Sequence, residues 1–328
     1  MKPIPVPELR LANRLRDEGK DAGAVASARA VLCKDSCHQQ AVLRALALLQ
    51  EVGGRRAVRE SALSDSWLSV APVSARSAVA RRLAECGDLA RAKSIHPEGV
   101  ADYSTKASPE VDWDSDLVVV PSTSARTTIV VFTGLMQESG IPLEQMQSIV
   151  ERLGCNFVAL RDRSRLAFLK GHRLLGDSPT EAGQSLRKLI NGLGSDKVVF
   201  LSSSAGSLGA FAFAVTFPPN GIVTFGAISS LRAPHESRGR AAGKRIMSMV
   251  SEGYSEPLQK LAQTSSRIQI ESYFAADLAV DRIHAEVISK VVGSNLAPLA
   301  GLNTHNVVEA LALSGRLPAI LKSFVDRC

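Results

Sequence analysis

Aromatic residues are scarce in this chain of 328 residues, at 5% of the composition. Proteins that hold single-stranded nucleic acids stack the bases on aromatic side chains, so this scarcity argues against that class of ligand. Lysine and arginine outnumber aspartate and glutamate by seven, but the excess is spread along the chain and forms no basic tail. We therefore expect no nucleic-acid partner.

Long apolar runs are also missing. The most apolar later stretch, 205–217, is too short to span a bilayer. The first residues turn charged before the apolar core of a secretory signal can form. The sequence therefore predicts no membrane span and a soluble, cytoplasmic protein.

Cysteines are few, and their number, five, is odd. Their spacing is not that of a disulfide framework. Cys33, Cys37 and His38 lie close in sequence and suggest a metal site, but no second cluster completes four ligands. We interpret them as ordinary helix residues, and we predict neither a metal nor an organic cofactor.

The chain has enough hydrophobic residues, 45%, to bury a sizeable core, and its length suits about two domains. Residues 1–112 show helical periodicity rich in alanine, leucine and arginine, without strand alternation. Gly19, Gly53 and Gly87 follow helix-like runs at a period of 34 residues, which is typical of tetratricopeptide repeats. We predict an all-α, tetratricopeptide-like domain over 1–112, with a generic helical bundle as the alternative.

Residues 113–328 follow a different pattern, after a linker rich in serine, proline and aspartate at 102–121. Continuous β-branched runs such as "TTIVVF" and "KVVFL" alternate with helical segments such as "PTEAGQSLRKLINGL". This alternation is typical of a doubly wound, mostly parallel sheet with helices on both faces. Residues 231–266 interrupt it with a polar, basic, helical insertion that we interpret as a lid.

A candidate nucleophile follows one of these strands, in the sequence "KVVFLSSSAGSLG". Ser204 occupies the central position of a G-x-S-x-G turn, with Gly206 as the second small residue and Ser202 in place of the first glycine. Such a turn between strand and helix projects a serine hydroxyl above the sheet edge. A second frame centres on Ser207, but it places the serine inside the following helix, so we prefer Ser204.

The flanking segments supply partners for this serine in a chemically sensible order. The backbone N–H groups of Ala205 and of Leu135, or its neighbour Met136, are candidate donors to an oxyanion. Asp277 follows the strand "ESYFAAD" and is the preferred acid, ahead of Asp281, which fits a helix cap. His305 lies in a loop before the last helical segment, where it suits a general base.

Residues 128–328 resemble the α/β-hydrolase-fold proteins, and more narrowly a bacterial branch associated with surface-glycan biosynthesis. The stretches that carry the resemblance are "NFVALRDRSRLAFLKG", "VVFLSSSAGSLGAFAF" and "THNVVEALALSGRLPAIL". It implies the Ser204, Asp277 and His305 triad, and it matches an Arg-Asp pair at Arg161 and Asp162. The chain departs from this branch at Ser202 and Ser207, where glycines are expected. We interpret Asp162 as a structural partner in an ion pair or as a cap.

These observations predict a serine esterase or thioesterase that forms an acyl-enzyme, with glycan-linked acyl groups as candidate substrates. Alternatives are transfer of the acyl group to a sugar hydroxyl, and an inactive adaptor that binds partner proteins through its helical repeats. Basic side chains in the insertion would attract an anionic substrate; they are Arg232, Arg238, Arg240, Lys244 and Arg245.

Overall fold

The computed structural model describes residues 6–34, 39–100, 110–231, 246–250, 256–264, 268–302 and 304–328. The chain divides into two compact units, Met1–Thr105 and Lys106–Cys328.

The described part of the first unit is helical, with a core of alanine, leucine and valine side chains. Two glycines with left-handed backbone follow helices as the period of 34 predicts, Gly19 (φ 72°) and Gly87 (φ 82°). Between them the break falls at Gly54 (φ 68°), one residue after the predicted Gly53. The helices are α1 (Pro7–Asp17), α2 (Asp21–Leu32), α3 (Gln39–Arg59), α4 (Asp65–Val70), α5 (Val73–Glu85) and α6 (Leu89–Ile95), followed by a 3₁₀ turn at Glu98–Val100.

The second unit is built on a seven-stranded sheet in the order β1-β3-β2-β4-β5-β6-β7. β1 pairs antiparallel with β3, and every other pair is parallel. The prediction of a mostly parallel sheet is therefore confirmed. The strands are β1 (Leu117–Val120), β2 (Thr127–Phe132), β3 (Asn156–Leu160), β4 (Lys197–Ser203), β5 (Gly221–Phe225), β6 (Gln269–Ala275) and β7 (Asn295–Leu299).

Helices cover both faces of this sheet. Ile129 and Val131 of β2 belong to one core cluster, and Val130 and Phe132 belong to the other. Because both faces are buried, the central strands are continuously apolar, as the sequence pattern predicted. On the first face lie α7 (Leu143–Arg152), α12 (Val307–Leu313) and α13 (Leu317–Arg327); on the second lie α8 (Pro179–Gly192), α9 (Gly206–Thr216), α10 (Pro257–Gln263) and α11 (Ala279–Val292).

Two segments differ from the sequence-based expectation. β7 was not predicted, because the sequence "NLAPL" is short and contains a proline, which is rare inside strands. In the predicted insertion at 231–266, Leu258 and Leu261 of α10 are buried in the helical layer of the second face. The basic residues of that insertion lie outside the described residues.

The strand order reverses between β2 and β4. From β2 the chain moves to β3 on one side, then crosses back to β4 and continues through β5, β6 and β7 on the other. In open α/β sheets, the carboxyl ends of the two strands at such a reversal border a crevice in which ligands bind. The segment after β2 and the segment after β4 are therefore the places to look for a site.

Candidate active site

Ser204 lies on a tight turn between β4 and α9. Its φ angle is +50°, in the left-handed region that a residue with a side chain enters at a cost of about 1–3 kcal/mol. The Ser204 N–H donates to the Phe225 carbonyl at 3.0 Å, which ties the turn to the end of β5. This strained strand-to-helix turn is the geometry that exposes a nucleophilic serine above a sheet.

Small residues around Ser204 allow the turn to pack against β2. A Cβ atom on Gly206 would lie 2.4 Å from the Phe132 carbonyl oxygen and 2.6 Å from that of Thr133, so only glycine fits there. Ser202, which replaces the first glycine of the motif, is fully buried next to Phe132 in the ladder. In the described part of the protein, its hydroxyl has no hydrogen-bond partner. Ser202 therefore lies inside β4, and the turn at Ser204 forms with a serine at this position.

Ser207, the second departure, bonds the turn to the segment after β5. Its Oγ lies 2.7 Å from the Ser204 carbonyl and 2.8 Å from that of Ile228, and it accepts from the Ile228 N–H at 2.9 Å. It is buried inside the helix start, so it is not the exposed serine of the turn. The Ser207 hydroxyl therefore adds hydrogen bonds between the turn and the segment after β5 that a glycine could not make.

His305 lies beside Ser204, although 101 residues separate them in the chain. Its Nε2 is 2.8 Å from the Ser204 Oγ. The loop that carries it, between β7 and α12, passes close to the end of β5, where a Cβ on Gly226 would lie 2.8 Å from the His305 carbonyl oxygen. The imidazole is 43% exposed, so the pair is open to solvent.

The carboxylate beside His305 belongs to Asp281, and the prediction of Asp277 for this place is wrong. Asp281 Oδ1 lies 2.7 Å from His305 Nδ1, and its side chain is 1% exposed. Asp277 lies in the turn directly after β6 and is exposed. α11 begins at Ala279, and its first turn carries Asp281 inward, whereas the strand end leaves Asp277 facing solvent.

A signal for Asp281 was present in the sequence. The buried positions of α11 are Asp281, His284, Ala285 and Ile288, which have the i, i+3, i+4, i+7 spacing of one helix face. A carboxylate on that stripe is unusual, because aspartate is rarely buried unless it is paired. Its position at the helix start alone does not distinguish Asp281, because any capping aspartate shares that position.

The segment after β2 passes close to the serine. A Cβ on Gly134 would lie 3.5 Å from the Ser204 Cβ. The following turn is closed by two backbone bonds: Gln137 N–H donates to the Gly134 carbonyl at 3.0 Å, and Gly134 N–H donates to that of Glu138 at 3.1 Å. We call residues 134–138 the Gly134 turn. It contains Leu135, one of the predicted oxyanion donors.

The predicted donors Leu135 and Ala205 both have backbone N–H groups without an acceptor among the described residues. Neither N–H makes a hydrogen bond to the described ranges of the chain. Ala205 directly follows Ser204 at the start of α9, where helix N–H groups lack internal acceptors. Leu135 follows Gly134 beside Ser204.

Aliphatic side chains surround this end of the sheet. Leu135, Leu169, Ile228 and Leu231 are partly exposed and pack on buried Ala167, Ala205 and Leu208. We call these four side chains the aliphatic wall. Leu135, Leu169 and Leu231 also contact Leu166, Ile246 and Val250, so the wall continues into a second apolar cluster. The surface next to Ser204 is therefore suited to an apolar group.

The two other described histidines of this unit are buried and make hydrogen bonds away from Ser204. His172 is buried, its Nε2 lies 3.0 Å from the Asp116 carbonyl, and burial lowers its pKa. His284 Nδ1 accepts from the Ser229 N–H at 3.0 Å, also in a buried position. Neither lies in the hydrogen-bonded series that joins Asp281, His305 and Ser204.

Asp162 caps a loop, in line with its interpretation as a structural cap. Its Oδ2 accepts from the N–H groups of Leu166 at 2.7 Å and Phe168 at 2.8 Å. Its Oδ1 accepts from the Ser164 N–H at 3.1 Å. The loop it holds carries Ala167, on which the aliphatic wall packs, and Leu169, which belongs to that wall.

The described residues contain no candidate metal site. In the described ranges, no three histidine, cysteine, aspartate or glutamate side chains converge as a metal site would require. Cys37 and His38 fall outside those ranges. Among the helices described, none combines the length and apolar character needed to cross a membrane.

Comparisons with known proteins find structural likenesses without close relatives. No family model matches the sequence, and no curated protein matches it. The fold is similar to a lipase-esterase related protein from Clostridium acetobutylicum ATCC 824, with 15% identity, a TM-score of 0.43, and coverage of 64% of this chain and 98% of that chain. A monoacylglycerol lipase from Paleococcus ferrophilus gives 15% identity, a TM-score of 0.45, and coverage of 65% and 100%.

A carboxylesterase structure from the thaumarchaeon Nitrososphaera gargenis is similar at 13% identity and a TM-score of 0.43, with coverage of 68% of this chain and 99% of that chain. Likenesses of this strength do not transfer an activity.

Proposed function

We propose that this protein is a serine hydrolase of the α/β-hydrolase type that cleaves an ester or thioester. The observation that carries the proposal is the continuous series Asp281–His305–Ser204, joined by contacts of 2.7 and 2.8 Å, with Ser204 on a turn at φ +50°. These three side chains come from separate segments of the chain and meet at one end of the sheet. Their arrangement is that of a nucleophile, a base and the group that orients the base.

In the first half of the reaction, the Ser204 oxygen bonds to the carbonyl carbon while His305 Nε2 takes the hydroxyl proton. The carbonyl electron pair moves onto oxygen, where the N–H groups of Ala205 and Leu135 donate to the oxyanion. Asp281 accepts from Nδ1–H and so keeps Nε2 free to receive the proton. The intermediate then expels the alcohol or thiol, which leaves with the proton from His305.

In the second half, water attacks the acyl-enzyme and gives its proton to His305. The tetrahedral intermediate collapses, the acid leaves, and the proton returns to Ser204. No step requires a group beyond these side chains and backbone donors. Transfer to a sugar hydroxyl follows the same route with the hydroxyl in place of water.

The aliphatic wall supports a substrate with an apolar acyl group. Its four partly exposed side chains border Ala205, whose N–H faces the reacting carbonyl in this scheme. Each methylene buried there contributes about 0.8 kcal/mol, or about fourfold in kcat/KM. We propose that the alcohol of the ester substrate is a sugar hydroxyl of a glycan, because the sequence resembles a branch associated with surface-glycan biosynthesis.

The test is hydrolysis of p-nitrophenyl esters of increasing acyl length by the wild type and Ser204→Ala. We expect turnover that rises from acetyl to hexanoyl in the wild type and is absent from the variant. A fluorophosphonate probe should label native protein at Ser204, as mapped by mass spectrometry, and should not label heat-unfolded protein. Turnover that survives Ser204→Ala would refute the mechanism, whereas a preference for acetyl would refute only the role of the wall.

The first unit is proposed as a tetratricopeptide-like surface for a protein partner. Stacked helical repeats present extended faces and carry no chemistry of their own. An adaptor without catalysis would keep its whole cellular function in Ser204→Ala. Comparison of that variant with the wild type, by partner capture and by cellular function together, separates the adaptor from the enzyme.

A further inference from the structure

Arg161 is a buried arginine that the proposed chemistry does not use. It follows β3, its side chain is 1% exposed, and a guanidinium in that position needs acceptors for its N–H groups. Its Nη1 donates to the carbonyls of Trp113 at 2.5 Å and Ser115 at 2.9 Å. These two bonds fix the fork of the guanidinium against the segment that leads into β1.

The two other nitrogen atoms of the Arg161 guanidinium contact the Gly134 turn. Arg161 Nε donates to the Gln137 carbonyl at 2.8 Å, and Nη2 lies 3.4 Å from the Glu138 carboxylate. The other Glu138 oxygen accepts from the Leu143 N–H at 3.2 Å, at the start of α7. A single buried cation therefore joins two consecutive residues of the turn to the edge of the sheet.

The turn needs such an attachment, because part of it is strained. Gln137 has a φ of +64°, a conformation that costs a residue with a side chain about 1–3 kcal/mol and persists only when its surroundings impose it. Its side chain donates to the Asp162 carbonyl at 2.8 Å, next to Arg161 in the chain. The Arg161–Asp162 pair therefore holds Gln137 through both its backbone and its side chain.

We propose that Arg161 is a positioning residue that holds the Leu135 N–H in place as an oxyanion donor, an inference that rests on the function proposed above. Leu135 lies two residues before Gln137, inside the turn closed by the Gly134–Glu138 bond. If the Gln137 carbonyl loses its donor, the strained residue relaxes and the Leu135 N–H shifts away from the reacting oxygen. Ser204, His305 and Asp281 are untouched, so nucleophile and base stay in place.

The experiment measures turnover per active site in Arg161→Gln, Arg161→Lys and Glu138→Gln, with active sites counted by end-point fluorophosphonate labelling. The control is Arg163→Gln, which removes a nearby arginine that bonds Asp116 and the Asp114 carbonyl and, within the described residues, makes no hydrogen bond or ion pair with the turn. We expect kcat per labelled site to fall about 10- to 100-fold in Arg161→Gln, since small misplacements of a donor have effects of this size. Arg161→Lys, which keeps the charge without the fork, should lie between Arg161→Gln and the wild type.

Two further measurements separate positioning from a loss of folded protein. Affinity for a trifluoromethyl ketone, which forms a tetrahedral oxyanion adduct, should weaken in parallel with kcat/KM. KM and the pH profile should stay close to those of the wild type, because binding and the base are unchanged. A merely structural role would lower the number of labelled sites and leave kcat per site unaltered.

Wild-type kcat per site in both Arg161→Lys and Glu138→Gln would overturn the proposal, even if Arg161→Gln fails to fold. Equal losses in Arg163→Gln would overturn it as well, because that side chain does not hold the turn. Absence of Ser204 labelling in the wild type is a different result, and it would refute the proposed function itself.

Discussion

Among single residues, Asp281 shows most clearly how burial and function are linked, because a buried carboxylate needs a partner and His305 supplies it. Its side chain is 1% exposed, one oxygen contacts His305, and the other has no hydrogen-bond partner in the described chain. An isolated charge in that position is costly. His305 therefore stabilises Asp281 as much as Asp281 orients His305, and a proton moved onto the imidazole strengthens the contact.

Asp281→Asn should lower kcat by about 10⁴-fold, because an amide does not hold the imidazole in the required tautomer. Asp277→Asn is the matched control, four residues earlier and exposed, and it should retain activity close to the wild type. Ester hydrolysis by both purified variants, normalised to circular dichroism of the folded protein, checks the pair. Equal activity of the two variants would contradict the assignment of Asp281.

At the scale of elements, the junction between β4 and α9 decides whether Ser204 is presented at all. The helix start lies against the end of β2, in contact with two carbonyl oxygens that belong to the backbone and cannot move cheaply. Ser207 then bonds the turn to the segment after β5. The turn that follows β4 is therefore held by the ends of its two neighbouring strands, β2 and β5, which keep a strained residue in place.

Gly206→Ala should destabilise the protein by about 1–3 kcal/mol, as overpacking does, and should abolish activity because the Ser204 turn must shift. Gly192→Ala, near the end of α8, is the control, since no atom lies within 4 Å of its added Cβ. That variant should be neutral or gain up to about 1 kcal/mol. Urea unfolding of both proteins, beside the wild type, measures the difference; a stable and active Gly206→Ala would show that the turn is not as tight as described.

The second unit as a whole should lose stability on mild acidification. Burial lowers the pKa of His172, so in the window that begins near the ordinary histidine value of about 6.5 the unfolded chain binds a proton that the folded chain does not. Stability is therefore fully present above that value and falls as the pH drops towards the folded-state pKa. Asp116 adds a second acid-sensitive contact: burial alone would raise its pKa, but hydrogen bonds from Arg173 and Arg163 outweigh this and lower it.

His172→Gln removes the first of these groups. We expect the wild type to lose more unfolding free energy than the variant between pH 8 and pH 5.5, measured by urea titration of tryptophan fluorescence. The Asp116 contribution is present above the ordinary aspartate pKa and disappears only at lower pH, so it does not interfere in this range. Parallel losses in wild type and variant would show that His172 does not titrate differently on folding.

Features that depend on a few consecutive residues could be predicted from the amino-acid sequence alone. The change from helical to strand-and-helix periodicity, the continuous apolar strands and the small-residue turn around Ser204 are all local, because side-chain period and turn chemistry act over less than about ten residues. β7 could not be predicted, because it is short and contains a proline, so its sequence lacks the continuous β-branched run of the other strands.

The meeting of side chains that are distant in the chain could not be predicted from local sequence, because it depends on how the strands and helices pack. Ser204 and His305 are 101 residues apart, and the choice between Asp277 and Asp281 depended on the rotation of α11 against the loop after β7. The contacts of Arg161 with the Gly134 turn likewise follow from the placement of β3 beside β2. Strand order and helix rotation result from the packing of the whole core, so no short stretch of sequence encodes them.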